Sequence, residues 1–509
     1  MYIILKELGV HLFFFSLLTL SIGTLIFSIS YFFIKNKKLY SFFPFLLAIV
    51  IFLFLPEFQT ISERWEGLYY SRMIRIHGPN VLKKYRYGPI YPTLFFLTES
   101  FFGFNIELIS FLHILFFSLS LTLIFLILKK IYPNNTLTNL LTLLSFTLIP
   151  STLYLSEIIK GIFQLNFLFF TLALYFLVRT LQSKNLFKFK KCLVYLTLSI
   201  LLFIQTKVEN LAIVYPLFFS LVLFKFNFLK KAWKEVTILL ILFLTTSLPI
   251  ISKYLEHKER AMCQNVHRPE IQAAFEKKEF IETLTSREFS FLFLKENFKK
   301  MLTYEPISNI LVPLIFVCLC ISIILKKPEL ISINLISVIF LFIYLFNCAY
   351  VVREEYTLYQ FPEAFIAPFI SLPALIDFIF RISKLKNFQN LKVVILIFIV
   401  FTLLFYSKNK IQIIKDPCQD IGAIKKVIKF LEDNNLKAPL VVMRHYEKFI
   451  WATIYNKVEV FSLEQELEKI NRINKFIIIS KDDLVHIPIP RNLTKIGIVE
   501  SFKIYISTT

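Results

Sequence analysis

The chain has 509 residues, of which 56% are hydrophobic and 60 are Phe. That much apolar surface excludes a water-soluble protein, and the lack of strand-like alternation excludes a β-barrel, which leaves a polytopic helical membrane protein. The net charge of +22 does not mark a nucleic-acid binder, because Lys and Arg fall in short tracts between apolar runs, where membrane topology concentrates them.

In chain order, apolar runs at roughly 9–34, 39–56, 105–128, 137–154, 161–179, 192–206, 210–226, 236–252, 306–326, 329–349, 359–380 and 391–407 predict about twelve spans. The first run, from Leu8 to Ile34, is too long for a signal-peptide core and no small-residue cleavage site follows it, so it reads as a span. The tracts KNKK (35–38), KK (129–130), KNLFKFKK (184–191), KFNFLKKAWK (225–234), KK (326–327) and RISKLKN (381–387) occupy every second connection. Positive-inside bias places those loops in the cytoplasm. The other side then receives a first loop at about 57–104, a second at about 253–305, and the tail from about 408. The chain accordingly divides into a membrane part, 1–407, and a C-terminal part, 408–509.

The tail changes character. Amphipathic IGAIKKVIKFLEDN and LEQELEKINRIN alternate with the short β-branched runs APLVVMR, KVEVFS, KFIIIS and IGIVESFKIYI, a pattern that predicts a small α/β domain outside the membrane. It has no Gly-rich phosphate loop and is not read as nucleotide-binding. Cys192, Cys318, Cys320 and Cys348 fall in apolar runs and read as buried thiols. Cys263 and Cys418 fall on one predicted side and could pair if that side is oxidising.

The first loop carries the chemistry. Ile61 to Pro92 holds four Arg, two Lys and two Glu among aromatics. On a helical count Ile61, Trp65, Leu68, Tyr69 and Met73 share a face, which predicts a helix lying in the membrane interface. Glu66 stands among Arg64, Arg72 and Arg75. A carboxylate among cations can act as a base toward a hydroxyl while the cations hold a phosphate. A surface helix whose Glu and Arg pair across turns is the commoner arrangement for such a pattern.

Other positions favour the first alternative. WEGLYYSRMIRIHG…YRYGPIYP resembles the first external loop of the GT-C superfamily of polytopic glycosyltransferases, which includes the protein O-mannosyltransferase-like and aminoarabinose-transferase-like families. The family pattern is an acid, a pair of aromatics, a Gly and a Pro-rich turn. Here Glu66 stands at the acid, Tyr69 and Tyr70 at the aromatics, Gly78 at the Gly, and Pro89, Tyr91 and Pro92 at the turn. The chain departs from the pattern in having Glu for Asp and Gly67 for the second acid. Three further stretches fit. IPSTLYLSEIIKG resembles the family's next loop edge, with Glu157 as its acid and Gln164 or Asn166 as the alternatives. FIQTKVENLAIVYP resembles the Lys…Pro element, with Lys207 and Pro216. VVREEYTLYQFPEAF resembles the Arg-Tyr…Pro element, with Arg353, Tyr356 and Pro362.

The resemblance implies a GT-C-like fold with interfacial helices in the first external loop and a small external α/β domain at the C-terminus. It implies transfer of a sugar from a polyprenyl-phosphate donor to a lipid, polysaccharide or protein acceptor, with inversion, on the outer face of a bacterial cytoplasmic membrane. Glu66 or Glu157 would be the catalytic acid–base residue. Arg72, Arg75, Tyr69, Tyr70, Lys207, Arg353 and Tyr356 would bind the sugar and its phosphate. No cofactor is expected. Superfamily members differ in needing a divalent metal, and the sequence adds no further acidic ligand set. His257, Cys263 and His267 lack a fourth ligand for zinc, and His11 and His113 read as packed or interfacial. The competing classes are a polytopic transporter or flippase, which would show repeats and broken midplane helices, and a non-catalytic homologue lacking the second acid.

Overall fold

Deprived of water, a chain in a bilayer must satisfy every backbone N–H and C=O within its own helix, and the apolar runs do so. The computed structural model describes residues 64–78, 89–103, 106–156, 162–207, 210–244, 307–347, 361–383, 389–413, 421–443, 448, 451–452, 455, 457–480, 492–500 and 502–508. The helices are α1 (Arg64–His77), α2 (Ile90–Phe102), α3 (Ile106–Ile131), α4 (Thr136–Thr147), α5 (Pro150–Ser156), α6 (Ile162–Leu181), α7 (Leu186–Ile204), α8 (Leu211–Lys231), α9 (Ser308–Ile324), α10 (Pro328–Asn347), α11 (Phe361–Ile382) and α12 (Gln389–Ile413). Phe163–Leu181, Ile213–Lys231 and Pro362–Ile382 are long and apolar enough to cross a membrane; Thr136–Thr147, Asn309–Ile324, Pro328–Phe342 and Asn390–Tyr406 are shorter apolar helices. Val394, Phe398, Phe401 and Phe405 project outward from α12, an apolar face suited to lipid. The chain is a multi-pass membrane protein. The predicted spans at 9–34 and 39–56, the loop at about 253–305, and Cys263, Cys348 and Cys418 lie outside the described residues.

Three local details differ from the sequence reading. The run 137–154 is two helices, because Pro150 lacks an N–H and disfavours helix at Ile149, so α4 stops at Thr147 and α5 opens on the proline. The basic tracts at 129–130, 184–191 and 225–234 are largely helical. Asn185 caps α7 by accepting the Lys188 N–H at 2.8 Å, and α8 runs through to Lys231 across a kink at Lys225. Helices therefore project past the apolar layer and carry their lysines on their ends. Cys320 is exposed on α9, whereas Cys192 and Cys318 are buried; an apolar run does not separate lipid-facing from packed positions.

Packing is centred on α6, which lies against both α3 and α7, while α9, α10 and α11 pack on one another and α8 packs on α10. Phe rings fill the junction. Phe170 of α6 meets Phe203 of α7 at 5.7 Å and Phe340 of α10 at 4.8 Å, and Phe146 of α4 meets Phe167 at 6.2 Å and Phe369 of α11 at 5.6 Å. Polar ties add specificity where apolar side chains cannot distinguish protein from lipid. The Asn334 amide reaches Ser322 Oγ at 3.0 Å and Ser371 Oγ at 2.8 Å, joining α10 to α9 and α11. The Tyr132 hydroxyl donates to Ile370 O at 3.1 Å, joining α3 to α11. The bundle end that carries the basic tracts is tied separately: Lys225 Nζ donates to Ser183 O at 3.0 Å, and Lys392 pairs with Asp377 at 2.8 Å.

After α13 (Ile421–Asp433), the strands β1 (Leu440–Val442), β2 (Val460–Ser462), β3 (Ile477–Ser480), β4 (Asn492–Val499) and β5 (Phe502–Thr508) form one sheet in the order β2-β1-β3-β5-β4. β1 pairs in parallel with β2 and β3, and β5 runs antiparallel to β3 and β4. Phe430 of α13 lies against Gly497, where a Cβ would sit 2.9 Å from the ring, beside the irregularity in the β4–β5 ladder. Buried Trp451 meets Phe502 edge-on at 5.6 Å. The helix α14 (Leu463–Ile470) follows β2 directly. Its Glu466 accepts from Lys448 Nζ at 2.7 Å and from the Ser462 N–H at 3.0 Å, with Lys469 Nζ at 3.2 Å.

Burial acts to raise the Glu466 carboxyl, but the hydrogen bonds from Lys448 and Ser462 outweigh it and hold the group below its ordinary value. Such a carboxylate contributes stability above the unfolded value, near 4.5, and loses it as the pH falls through the folded one. Glu466→Gln is expected to cost about 1 kcal/mol at pH 7, allowing for partial solvent screening. Thermal melts of variant and parent should converge as the pH is lowered below 4.5.

Candidate functional site

The candidate residues that the structure describes fall in two groups. The first is the helical hairpin of α1 and α2, which pack together. Gly67, Leu68, Ser71 and Ile74 form the buried side of α1, Arg75 and Ile76 are exposed, and Tyr69, Tyr70, Arg72 and Met73 lie between. The buried stripe is therefore rotated from the predicted one, because α1 turns one side to α2 and does not only rest on a lipid surface. Glu66 takes its place in the first turn of α1, and positions 66, 69, 70 and 73 fall on one helix face. The rings of Tyr69 and Tyr70 meet edge-to-face at 5.4 Å. Burial, reinforced by the negative charge of Glu466 and Glu459, raises the Tyr69 phenol above its ordinary value, so Tyr69 is a neutral hydrogen-bond donor at pH 7.

Arg72 is not an isolated cation. Its Nε stands 3.3 Å from Glu99 Oε1 of α2, with the two side chains only 12% and 11% exposed. Sequence reading passed over Glu99, although an acid in the apolar FFLTESFF run is a signal that it needs a partner. Arg75, one turn on, is exposed.

The end of α1 and the start of α2 are each held by a specific contact. Gly78 has φ 74°, with its N–H on Ile74 O at 2.9 Å, and a Cβ there would meet nothing within 4 Å. The glycine is thus needed for the left-handed helix cap and not for space. At the start of α2 Tyr91 is buried, and its hydroxyl meets His113 Nε2 of α3 at 3.0 Å. His113 Nδ1 lies 2.7 Å from Ile109 O, so Nδ1 carries the proton and Nε2 accepts from the tyrosine. The imidazole also stacks on Phe95 at 5.2 Å.

The second group surrounds Lys207, in the turn between α7 and α8. The lysine is only 7% exposed, and its Nζ sits 3.7 Å from the centre of the Phe163 ring of α6. Asn166, three residues beyond Phe163, accepts from Thr206 Oγ1 at 2.5 Å and from Asn210 Nδ2 at 2.6 Å. Its own Nδ2 donates to Glu363 Oε1 of α11 at 3.0 Å. Of the two alternatives to Glu157, Asn166 belongs to this group, whereas Gln164 donates to Leu155 O at 3.0 Å and fastens α5 to α6. Sequence reading did not single out Glu363, whose signal was a carboxylate directly after Pro362 in an apolar run. Glu157, Arg353 and Tyr356 lie outside the described residues.

A buried ammonium and phenol donors can neutralise and hold a phosphate, and a site of low dielectric strengthens each contact. The hairpin's ion pair makes a separate expectation. Glu99→Gln should raise amide hydrogen exchange along α1 about tenfold, the effect of removing one charge-assisted bond of 1–2 kcal/mol, as read by mass spectrometry of the solubilised protein.

No family model matches the sequence, and no curated protein matches it. Solved structures do. The crystal structure of ArnT from Cupriavidus metallidurans bound to undecaprenyl phosphate matches with a TM-score of 0.53 and 11% identity, covering 90% of this chain and 96% of that one. The archaeal oligosaccharyltransferase AglB from Archaeoglobus fulgidus, in complex with an inhibitory peptide and a dolichol-phosphate, matches with a TM-score of 0.52 and 9% identity, covering 87% of this chain and 70% of that one. At these identities the likeness is one of fold.

Proposed function

We propose, starting from the GT-C fold that this chain shares over 90% of its length, that it is a glycosyltransferase taking its sugar from a polyprenyl phosphate. The observation that carries the reading is Lys207, a cation buried at a helix end with its ammonium held on the Phe163 ring. An ammonium held in place at a helix end can bind a phosphate, and a lipid phosphate at the end of the bundle is an anion of that kind. The neighbours support that ligand class, since ArnT was solved with undecaprenyl phosphate and AglB with a dolichol-phosphate.

In the proposed reaction an acceptor hydroxyl oxygen attacks the anomeric carbon of the donor sugar in line. The bond from that carbon to the phosphate oxygen breaks, inverting the anomeric centre. The hydroxyl proton passes to Glu66, and the lipid phosphate departs with the electron pair. Lys207, with Arg353 and Arg75, neutralises the charge that grows on the leaving phosphate. Arg72 is bound to Glu99, so among the hairpin arginines Arg75 has the larger part. Tyr69, Tyr70 and Tyr356 line the sugar or reach the phosphate, and Glu157 is the alternative base. We assign residues 1–407 to catalysis and 408–509 to an external α/β domain that docks the acceptor, a lipid, polysaccharide or protein. The site would face the exterior of a bacterial cytoplasmic membrane, on the bundle end opposite the basic tracts.

The test uses vesicles of known orientation, loaded with radiolabelled polyprenyl-phosphate sugars. The parent protein should release or transfer the label, and Glu66→Gln should lower the rate by about 100-fold or more while the protein still inserts. A Glu66→Gln protein as active as the parent would move the base to Glu157. A panel of donors left untouched by the parent would refute the transferase reading.

A further inference from the structure

Lys207 is held from two directions by one face of α6. Phe163 supports the ammonium at 3.7 Å. Asn166, three residues along that face, grips the chain on both sides of the lysine. Its Oδ1 takes hydrogen bonds from Thr206, immediately before Lys207, and from Asn210, three residues after it. The same amide donates in the other direction to Glu363, at the start of α11. Asn166, Thr206, Asn210 and Glu363 are each at most 4% exposed. The donors and acceptors form one line running from the carboxylate through the amide to the lysine turn. A negative charge at one end polarises the amide and strengthens the bonds beyond it.

A tie between helices needs no carboxylate. Elsewhere in this bundle Asn334 joins α10 to α9 and α11 through serine hydroxyls alone. Glu363, in the first turn of α11, is bonded to the amide that grips the turn of a candidate phosphate ligand, so it is placed to influence that turn. We propose that Asn166 and Glu363 are positioning residues: Glu363, acting through the Asn166 amide, sets the turn that carries Lys207 and so sets the ammonium for the donor's phosphate. The proposal rests on the reading of Lys207 as a lipid-phosphate ligand. The neutral amide suits the task. It transmits the orientation from α11 to the turn by donating through its nitrogen to Glu363 and accepting through its oxygen from the residues on either side of the lysine.

The experiment measures equilibrium binding of radiolabelled undecaprenyl phosphate and, separately, dolichyl phosphate to the purified full-length protein in detergent. The parent should bind at least one of them saturably, and Lys207→Met should weaken binding about tenfold or more. Asn166→Ala should weaken it about tenfold. Asn166→Asp, which sets a carboxylate against Glu363, should do at least as much. The exchange Asn166→Asp with Glu363→Gln keeps the total charge and restores the line with the donor reversed, so it should return binding to within about threefold of the parent. In a Lys207→Met background, Asn166→Ala should change nothing more, which a general loosening of the bundle would not reproduce. If Asn166→Ala does not insert, Thr206→Val removes one donor to the amide at nearly constant volume and reads the same coupling.

Two results overturn the inference while leaving the lipid-phosphate reading intact: parent-like binding by Asn166→Ala, or equal weakening with and without Lys207. Failure of the parent to bind either lipid phosphate, or parent-like binding by Lys207→Met, overturns the reading of the site and this inference with it.

Discussion

A bilayer offers no water to an exposed peptide group, and that constraint organises the rest of this molecule. Each apolar run closes its own backbone hydrogen bonds as a helix, and chemistry is pushed to where helices end. Lys207 stands between α7 and α8, Glu363 opens α11, and Asn166 lies near the start of α6. None of these positions could hold a polar group in mid-span without a partner. The ends that carry them alternate along the chain with the ends that carry Lys129, Lys130, Lys230 and Lys231. A bundle of antiparallel neighbours thus gathers basic tracts at one end and the candidate residues at the other.

Charge is treated differently in the two candidate groups. In the hairpin, the guanidinium of Arg72 is matched by Glu99 from the facing helix, an arrangement that joins α1 to α2. Around Lys207, the ammonium rests on an aromatic face and the Asn166 amide holds the chain on either side of the lysine. Position on the helix distinguishes Arg72 from Arg75 of α1, since Arg72 faces α2 and Arg75 faces outward.

The hairpin and the tail show how small features set geometry. A left-handed glycine closes α1, and a tyrosine–histidine contact anchors the opening of α2 to α3. In the tail, Gly497 lets Phe430 approach the β4–β5 ladder, and Glu466 gathers Lys448, Lys469 and a backbone amide around the start of α14. The influence of Glu466 and Glu459 on Tyr69 brings the field of the tail to the hairpin.

Sequence alone determined the membrane class, the helical character of the runs from residue 106 onward and the strand–helix alternation of the tail, because these follow from hydrophobic period and from the cost of unsatisfied backbone in lipid. It also marked Tyr69, Tyr70, Arg72 and Arg75, since rings and charges stand out against an apolar chain, and Lys207 by its resemblance to the Lys…Pro element. It did not show that Arg72 belongs to Glu99, that Asn166 takes its place beside Lys207 while Gln164 fastens α5, or that Glu363 completes the group from 197 residues beyond Asn166. Those pairings depend on which helix faces which, and on the rotation of each about its axis. Apolar runs of similar composition leave both undetermined; only the close packing of α3, α6, α7, α10 and α11 decided them.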